Sequence, residues 1–160
     1  MFEGLKKMFG GKDTVKILAP VEGEAVSIKE VSDPTFSEEL LGKGIAIKPA
    51  KGRVVAPIDG TLTVMFDTKH AVSITANNGA EVLVHVGLDT VSLKGEHYTA
   101  HKSQGDKVKA GDLLIEFDID AIKGKGFDVI TPVVICNSAD YPNMKVHTGA
   151  VKELDTIIEL

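Results

Sequence analysis

From Val15 onward, apolar and polar residues alternate over short stretches instead of recurring every three or four positions. "TVKILAP", "GEAVSIKEV", "GIAIKPA", "GRVVAPIDG", "TLTVMF", "AVSITA" and "EVLVHVG" follow one another, then "LLIEFD", "TPVVICN" and "TIIEL". Each is rich in β-branched residues and most are bounded by glycine or proline, so each predicts a strand. Strands this short and numerous predict an all-β fold, a compact antiparallel sandwich or barrel-like domain. Helix is confined to one or two turns at "PTFSEELL" (34–41) and "DIDAIKGKG" (118–126).

Residues 1–14 stand apart. Phe2, Leu5, Met8 and Phe9 fall at near-helical spacing among Lys6, Lys7 and Lys12, before "GGKD" breaks the pattern. The segment reads as a flexible or amphipathic arm, residues 1–12 of which would touch an anionic membrane surface. A single domain is expected over 15–160. Within it, "VEGEAVSIKEV" and "IDGTLTVMF" both follow an Ala-Pro pair, at 19–20 and 56–57, a faint echo of internal duplication.

One apolar run holds a titratable residue: His85, in "EVLVHVGLDT", has a valine on either side. The preceding run, "TKHAVSITA", is joined to it through Asn78-Gly79, a pair that favours a two-residue type I′ hairpin. That loop would set Val72 opposite His85 and His70 opposite Gly87, placing both imidazoles diagonally on one face. Val72, Ile74 and Leu83 would share that face, while Val82, Val84 and Val86 would point to the core. A slip of one residue would separate the histidines.

Composition narrows the chemistry. The 160 residues include 23 acidic and 18 basic ones, a formal charge of −5 with no long basic run, which disfavours nucleic acid. Cys136 is the only cysteine, so no internal disulfide or thiolate zinc cluster can form, and a cytoplasmic setting is expected. No apolar run approaches the length needed to span a bilayer.

Paired imidazoles serve either zinc or a phosphoryl group. A zinc-dependent hydrolase or metal-binding module built on His70 and His85 would need a third ligand such as Asp89 or His101, and no HExxH is present. His97 and His101 have i, i+4 spacing, but glycine nearby argues against a helix and places them on the surface. A phosphate loop is also missing, because "GGKDT" has the wrong spacing. A histidine nucleophile needs no metal: one ring nitrogen attacks phosphorus while the other holds a proton that a carbonyl can fix. The second imidazole and the hydroxyl of Thr68 would assist. A biotinyl- or lipoyl-type carrier is a further reading, since "VVAPIDGTLT" and "GDKVKAGDLLIEFD" resemble parts of such domains, but the hairpin tip offers no lysine to modify.

The stretches "ILAPVEGEAVSIKEVSDPTFSEELLGKGIAIKP", "VVAPIDGTLTVMFDTKHAVSI", "EVLVHVGLDTVSLKGE", "GDKVKAGDLLIEFD" and "TPVVICN" resemble the glucose-type enzyme IIA proteins of the bacterial phosphoenolpyruvate-dependent sugar phosphotransferase system. The resemblance implies an antiparallel β-sandwich of the duplicated hybrid (barrel-sandwich) type and a cytoplasmic phosphocarrier recruited to a membrane permease. It implies phosphorylation of His85 at Nε2, with His70 stabilising the phosphoryl group and Thr68 supporting His70. Phosphate would come from the histidine-containing phosphocarrier protein and pass to a cysteine of a IIB domain. No cofactor is implied, although His70 and His85 could capture zinc opportunistically. Phe36, Phe66, Val72 and Val91 would form an apolar docking face, flanked by Asp33 and Asp89, for these partners and for any regulatory target. Two residues depart from the family's habit: Val72 stands where several relatives have an aromatic residue, and Cys136 where serine is common. Cys136 reads as a buried small residue rather than a phosphate acceptor.

Overall fold

The computed structural model describes residues 14–160, so the expected N-terminal arm lies outside the described residues. The expected all-β architecture is present: antiparallel sheets with two short helices. The first half of the chain supplies β1 (Lys16–Leu18), β2 (Gly23–Ser27), α1 (Pro34–Ser37), β3 (Lys43–Pro49), β4 (Arg53–Val55), β5 (Gly60–Met65), β6 (Ala71–Ala76) and β7 (Glu81–His85). The second half supplies β8 (Tyr98–Ala100), β9 (Lys107–Val108), β10 (Leu113–Phe117), α2 (Ile119–Gly124), β11 (Thr131–Ile135), β12 (Lys145–Val146), β13 (Gly149–Val151) and β14 (Thr156–Glu159).

The sheet order exposes a duplication. The eight-stranded sheet runs β13-β2-β3-β11-β7-β6-β5-β9, and the two smaller sheets run β1-β14-β12 and β4-β10-β8. Exchanging β13 with β9, β2 with β5, β3 with β6 and β11 with β7 leaves this order unchanged, which defines a pseudo-twofold axis between β7 and β11. Hydrogen bonds repeat with it. Leu18 N–H donates to Pro57 O at 2.9 Å and Val55 N–H to Pro20 O at 2.8 Å, so the two Ala-Pro corners brace each other. Ala19 N–H donates to Asp155 O and Ala56 N–H to Asp112 O, and each aspartate caps its own turn by accepting from the N–H of Lys152 or Lys109. Gly23 and Gly60 open equivalent strands against a crossing carbonyl: an added Cβ would lie 2.0 Å from Lys48 O or 2.3 Å from Thr75 O. Only glycine permits so close an approach. The echo in the sequence is a structural repeat.

Apolar alternation puts two clusters on the two faces of the large sheet. The main core, including Val72, Ile74, Val82, Val84, Ile115 and Ile158, lies on one face. The second cluster is covered by the β2–β3 connection, whose Ile28, Val31 and Phe36 pack on Ala71, Leu83 and Val134. Each buried branched side chain contributes about 2 kcal/mol. α1 begins where Asp33 Oδ1 accepts from Thr35 N–H at 2.9 Å with Pro34 in the first turn, a favourable start. This connection carries half of the site's surroundings.

Candidate functional site

The hairpin that holds the histidines differs from its expected form. Ala71 lies opposite His85 and Val72 opposite Val84, one residue away from the predicted register. The loop has three residues, Asn77 to Gly79: Ala76 N–H donates to Ala80 O, Gly79 N–H returns to Ala76 O, and Gly79 takes φ 97°. Asn78 is not among the residues with positive φ that a type I′ turn needs; its Oδ1 instead accepts from Ala80 N–H. Val72 and Ile74 therefore face the main core with Val82 and Val84, while Leu83 and Ala71 share the face of His85.

By strand parity this slip should have separated the two imidazoles. They meet because β6 stops at Ala71. Lys69 adopts φ 60° and its N–H closes a turn on Phe66 O, so His70 no longer follows the pleat. The His70 carbonyl still accepts from Val86 N–H at 2.6 Å. The two rings lie 4.8 Å apart between centroids at 84°.

The ring nitrogens are differentiated. His85 Nδ1 is 2.7 Å from Gly87 O, and because a carbonyl only accepts, Nδ1 carries the proton and Nε2 keeps its lone pair. His70 Nδ1 is 2.5 Å from Thr68 Oγ1, a hydroxyl able to donate to it, and a bond in that direction puts the His70 proton on Nε2. Desolvation, then the neighbouring His85, lowers the His70 pKa to about 4. Desolvation also lowers that of His85, against the Gly87 carbonyl, Asp33 and Asp89, which raise it. Two neutral imidazoles therefore stand face to edge at neutral pH, with the lone pair of His85 on Nε2.

Around them, Phe36 lies 5.0 Å from the His85 ring and Phe66 5.3 Å from the His70 ring. Phe66 and Val91 are exposed, at 39% and 53%. Two expectations need correction. Val72 is fully buried in the main core, a consequence of the register, and cannot belong to a docking face. Phe36 is also buried, held in the second cluster beneath the site. Asp33 and Asp89, whose charges act on His85, line a cleft of about 540 Å³ with Asp128.

Other candidates fall elsewhere. His101 and His147 are bound to Glu116 and Glu159 at 2.7 and 2.6 Å, away from the pair. His97 is half-buried, with positive φ. Cys136, expected inside, is exposed; such desolvation as its sulfur suffers, and the carboxylate of Glu81, push the thiol up, which disfavours a nucleophilic thiolate. Among the described residues, no group of three or more His, Cys, Asp or Glu is placed to hold a metal ion. The sequence reading missed Gly87 O as an acceptor, Asp128, and the exposed Leu40 and Leu41 after α1. A histidine two residues before a glycine was the available signal for the first.

Residues 15–141 match the model of the phosphoenolpyruvate-dependent sugar phosphotransferase system, EIIA 1. The chain belongs to this EIIA family. It is thus a phosphocarrier component of the sugar phosphotransferase system. It is 47% identical over 147 residues to the glucose-specific EIIA component of Bacillus cereus, covering 90% of this chain and 89% of that one. The glucose-specific EIIA component of Oceanobacillus iheyensis is 46% identical over 131 residues, with 82% and 79% covered. The beta-glucoside-specific EIIBCA component of Bacillus subtilis is 46% identical over 145 residues; these cover 90% of this chain and 24% of that relative, so the chain spans about a quarter of its length. The glucose permease IIA from Mycoplasma capricolum superposes with a TM-score of 0.89 at 35% identity, covering 95% of this chain and 99% of that one. EIIA relatives lend no support to the zinc-dependent hydrolase. Among the described residues, no helix is long and apolar enough to cross a membrane.

Proposed function

We propose that His85 Nε2 is the phosphoryl acceptor of this EIIA domain and that the donor is the histidine-containing phosphocarrier protein. The observation that carries the reading is the Nδ1–H bond from His85 to Gly87 O, which leaves Nε2 as the only lone pair on that ring. Nε2 attacks phosphorus as the phosphorus–nitrogen bond of the donor's phosphohistidine breaks, and that electron pair returns to the donor's imidazole. The His85 proton stays on Nδ1. His70 Nε2–H donates to an equatorial phosphoryl oxygen, and Thr68 fixes the tautomer that makes this so.

The phosphoryl group then passes to a cysteine of a IIB domain, at the cytoplasmic face of a sugar permease. The presence of EIIB and EIIC parts in one chain with the EIIA part in the beta-glucoside-specific relatives supports such a partner. Phe66 and Val91 would meet the partners, and Asp33 and Asp89 would attract a basic donor, which suits brief docking. The half-buried setting of His85, closed further by a docked partner, keeps water from a labile phosphohistidine. No cofactor takes part.

Intact-mass spectrometry after incubation with phosphoenolpyruvate, enzyme I and the donor tests this. One acid-labile phosphoryl adduct on wild type and none on His85→Ala is the expected result; an undiminished adduct on His85→Ala would overturn it.

A further inference from the structure

Gly87 O can fix His85 only if the carbonyl is itself fixed, and the chain on either side of it is tied by hydrogen bonds. Gly87 N–H donates to Ile130 O at 3.1 Å and Leu88 N–H to Asp128 O at 3.0 Å. The carbonyl one residue earlier, Val86 O, accepts two hydroxyls at 2.8 Å, from Thr90 Oγ1 and from Tyr98 OH. Both donors are buried, at 0% and 5% exposure, so neither has water as a substitute. Gly87 sits at φ 89°, where an added Cβ would also strike Thr90 Cγ2 at 2.6 Å. Left without these ties, a glycine in that region has the widest freedom to swing its carbonyl away.

Tyr98 reaches Val86 from another sheet. It lies on β8, paired with Phe117 of β10 and stacked on that ring, so its hydroxyl is carried by a rigid element. We infer that Tyr98, together with Thr90, is a positioning residue for phosphoryl transfer: by clamping Val86 O it aims Gly87 O at His85 Nδ1 and holds the nucleophile in its Nε2-reactive tautomer. This rests on His85 being the acceptor. Tyr98 touches no reacting atom.

The test reads the His85 tautomer by long-range ¹H–¹⁵N NMR at pH 7.5, which needs no phosphorylation, beside the rate of transfer from the phosphorylated donor. Wild type should show one tautomer, protonated at Nδ1. Tyr98→Phe, which removes only the hydroxyl, should show a mixture and transfer roughly three- to tenfold more slowly, the worth of about one buried hydrogen bond. Thr90→Val should behave in the same way and Thr90→Ser should restore wild-type values. An unchanged tautomer and rate in folded Tyr98→Phe would overturn the inference. If Tyr98→Phe does not fold, identical tautomers and rates in Thr90→Val and Thr90→Ser would overturn it equally. A wild type that is phosphorylated elsewhere than His85 defeats the proposed acceptor instead, whatever the tautomer shows.

Discussion

The two halves of the molecule share one hydrogen-bonded frame but only one of them holds the His70–His85 pair. Aligning Gly23 with Gly60 through the registers of β2–β3 and β5–β6 places Lys43 where His70 stands. The pairing of Gly44 with Val134, against Ala71 with His85, places Val134 where His85 stands. His101 and His147 behave oppositely. Each donates its backbone N–H to an equivalent strand, at Leu114 O and Ile157 O, and each ring meets a carboxylate on that strand. His101 and His147 obey the repeat, and each is paired with a carboxylate; His70, buried, and His85, half-buried, break it and are turned to each other. The connections differ too: residues 28–42 arch over the second cluster in one half, and residues 66–70 make a tight turn in the other. The repeat supplies the frame, and its violations bring the two imidazoles together.

Substitutions at both kinds of histidine sharpen this contrast. His85→Gln should lower phosphoryl incorporation to background, read as radiolabel retained after gel filtration. His70→Gln should leave His85 chemically available yet slow transfer about a hundredfold, the usual loss for one transition-state donor; rapid-quench kinetics would check it, and a loss under threefold would contradict the donor role. Thr68→Val, which frees the His70 tautomer, should cost about tenfold in the same assay.

A pH series tests the burial half of the contrast. The folded His70 pKa of about 4 lies below the ordinary 6.5, so the unfolded chain binds more protons between those values. The stability from keeping His70 neutral is complete above pH 6.5 and is lost as pH falls toward 4. Urea unfolding of wild type should show a drop on the order of 2 kcal/mol between pH 7 and pH 4.5 beyond that of His70→Gln. Equal drops would mean that His70 is not desolvated. The smallest effect belongs to His101→Gln and His147→Gln, which should leave transfer within twofold and cost no more than about 1 kcal/mol each.

Much of this was legible in the chain. The alternation of "AVSITA" and "EVLVHV" gives strands of the right kind, and the two Ala-Pro corners mark the repeat. The hairpin loop was misjudged because Asn77 joins Asn78-Gly79, and three residues with one positive φ fit as well as two. The pair survived that error because a backbone turn at Lys69, which no local pattern announces, reverses the parity of His70. Val72 followed the register into the core. Tyr98 was illegible for a different reason: its hydroxyl meets Val86 O only after β8 folds across, where Thr90, four residues from Val86, joins it.

The central claim is that His85 Nε2 alone receives phosphate. ¹H–¹⁵N and ³¹P NMR of ¹⁵N-histidine-labelled protein, after phosphorylation by the donor, tests it most directly. A single phosphorus coupling to His85 Nε2, with Nδ1 still protonated, is the predicted result. Phosphorus on His70, or on Nδ1 of His85, would contradict it.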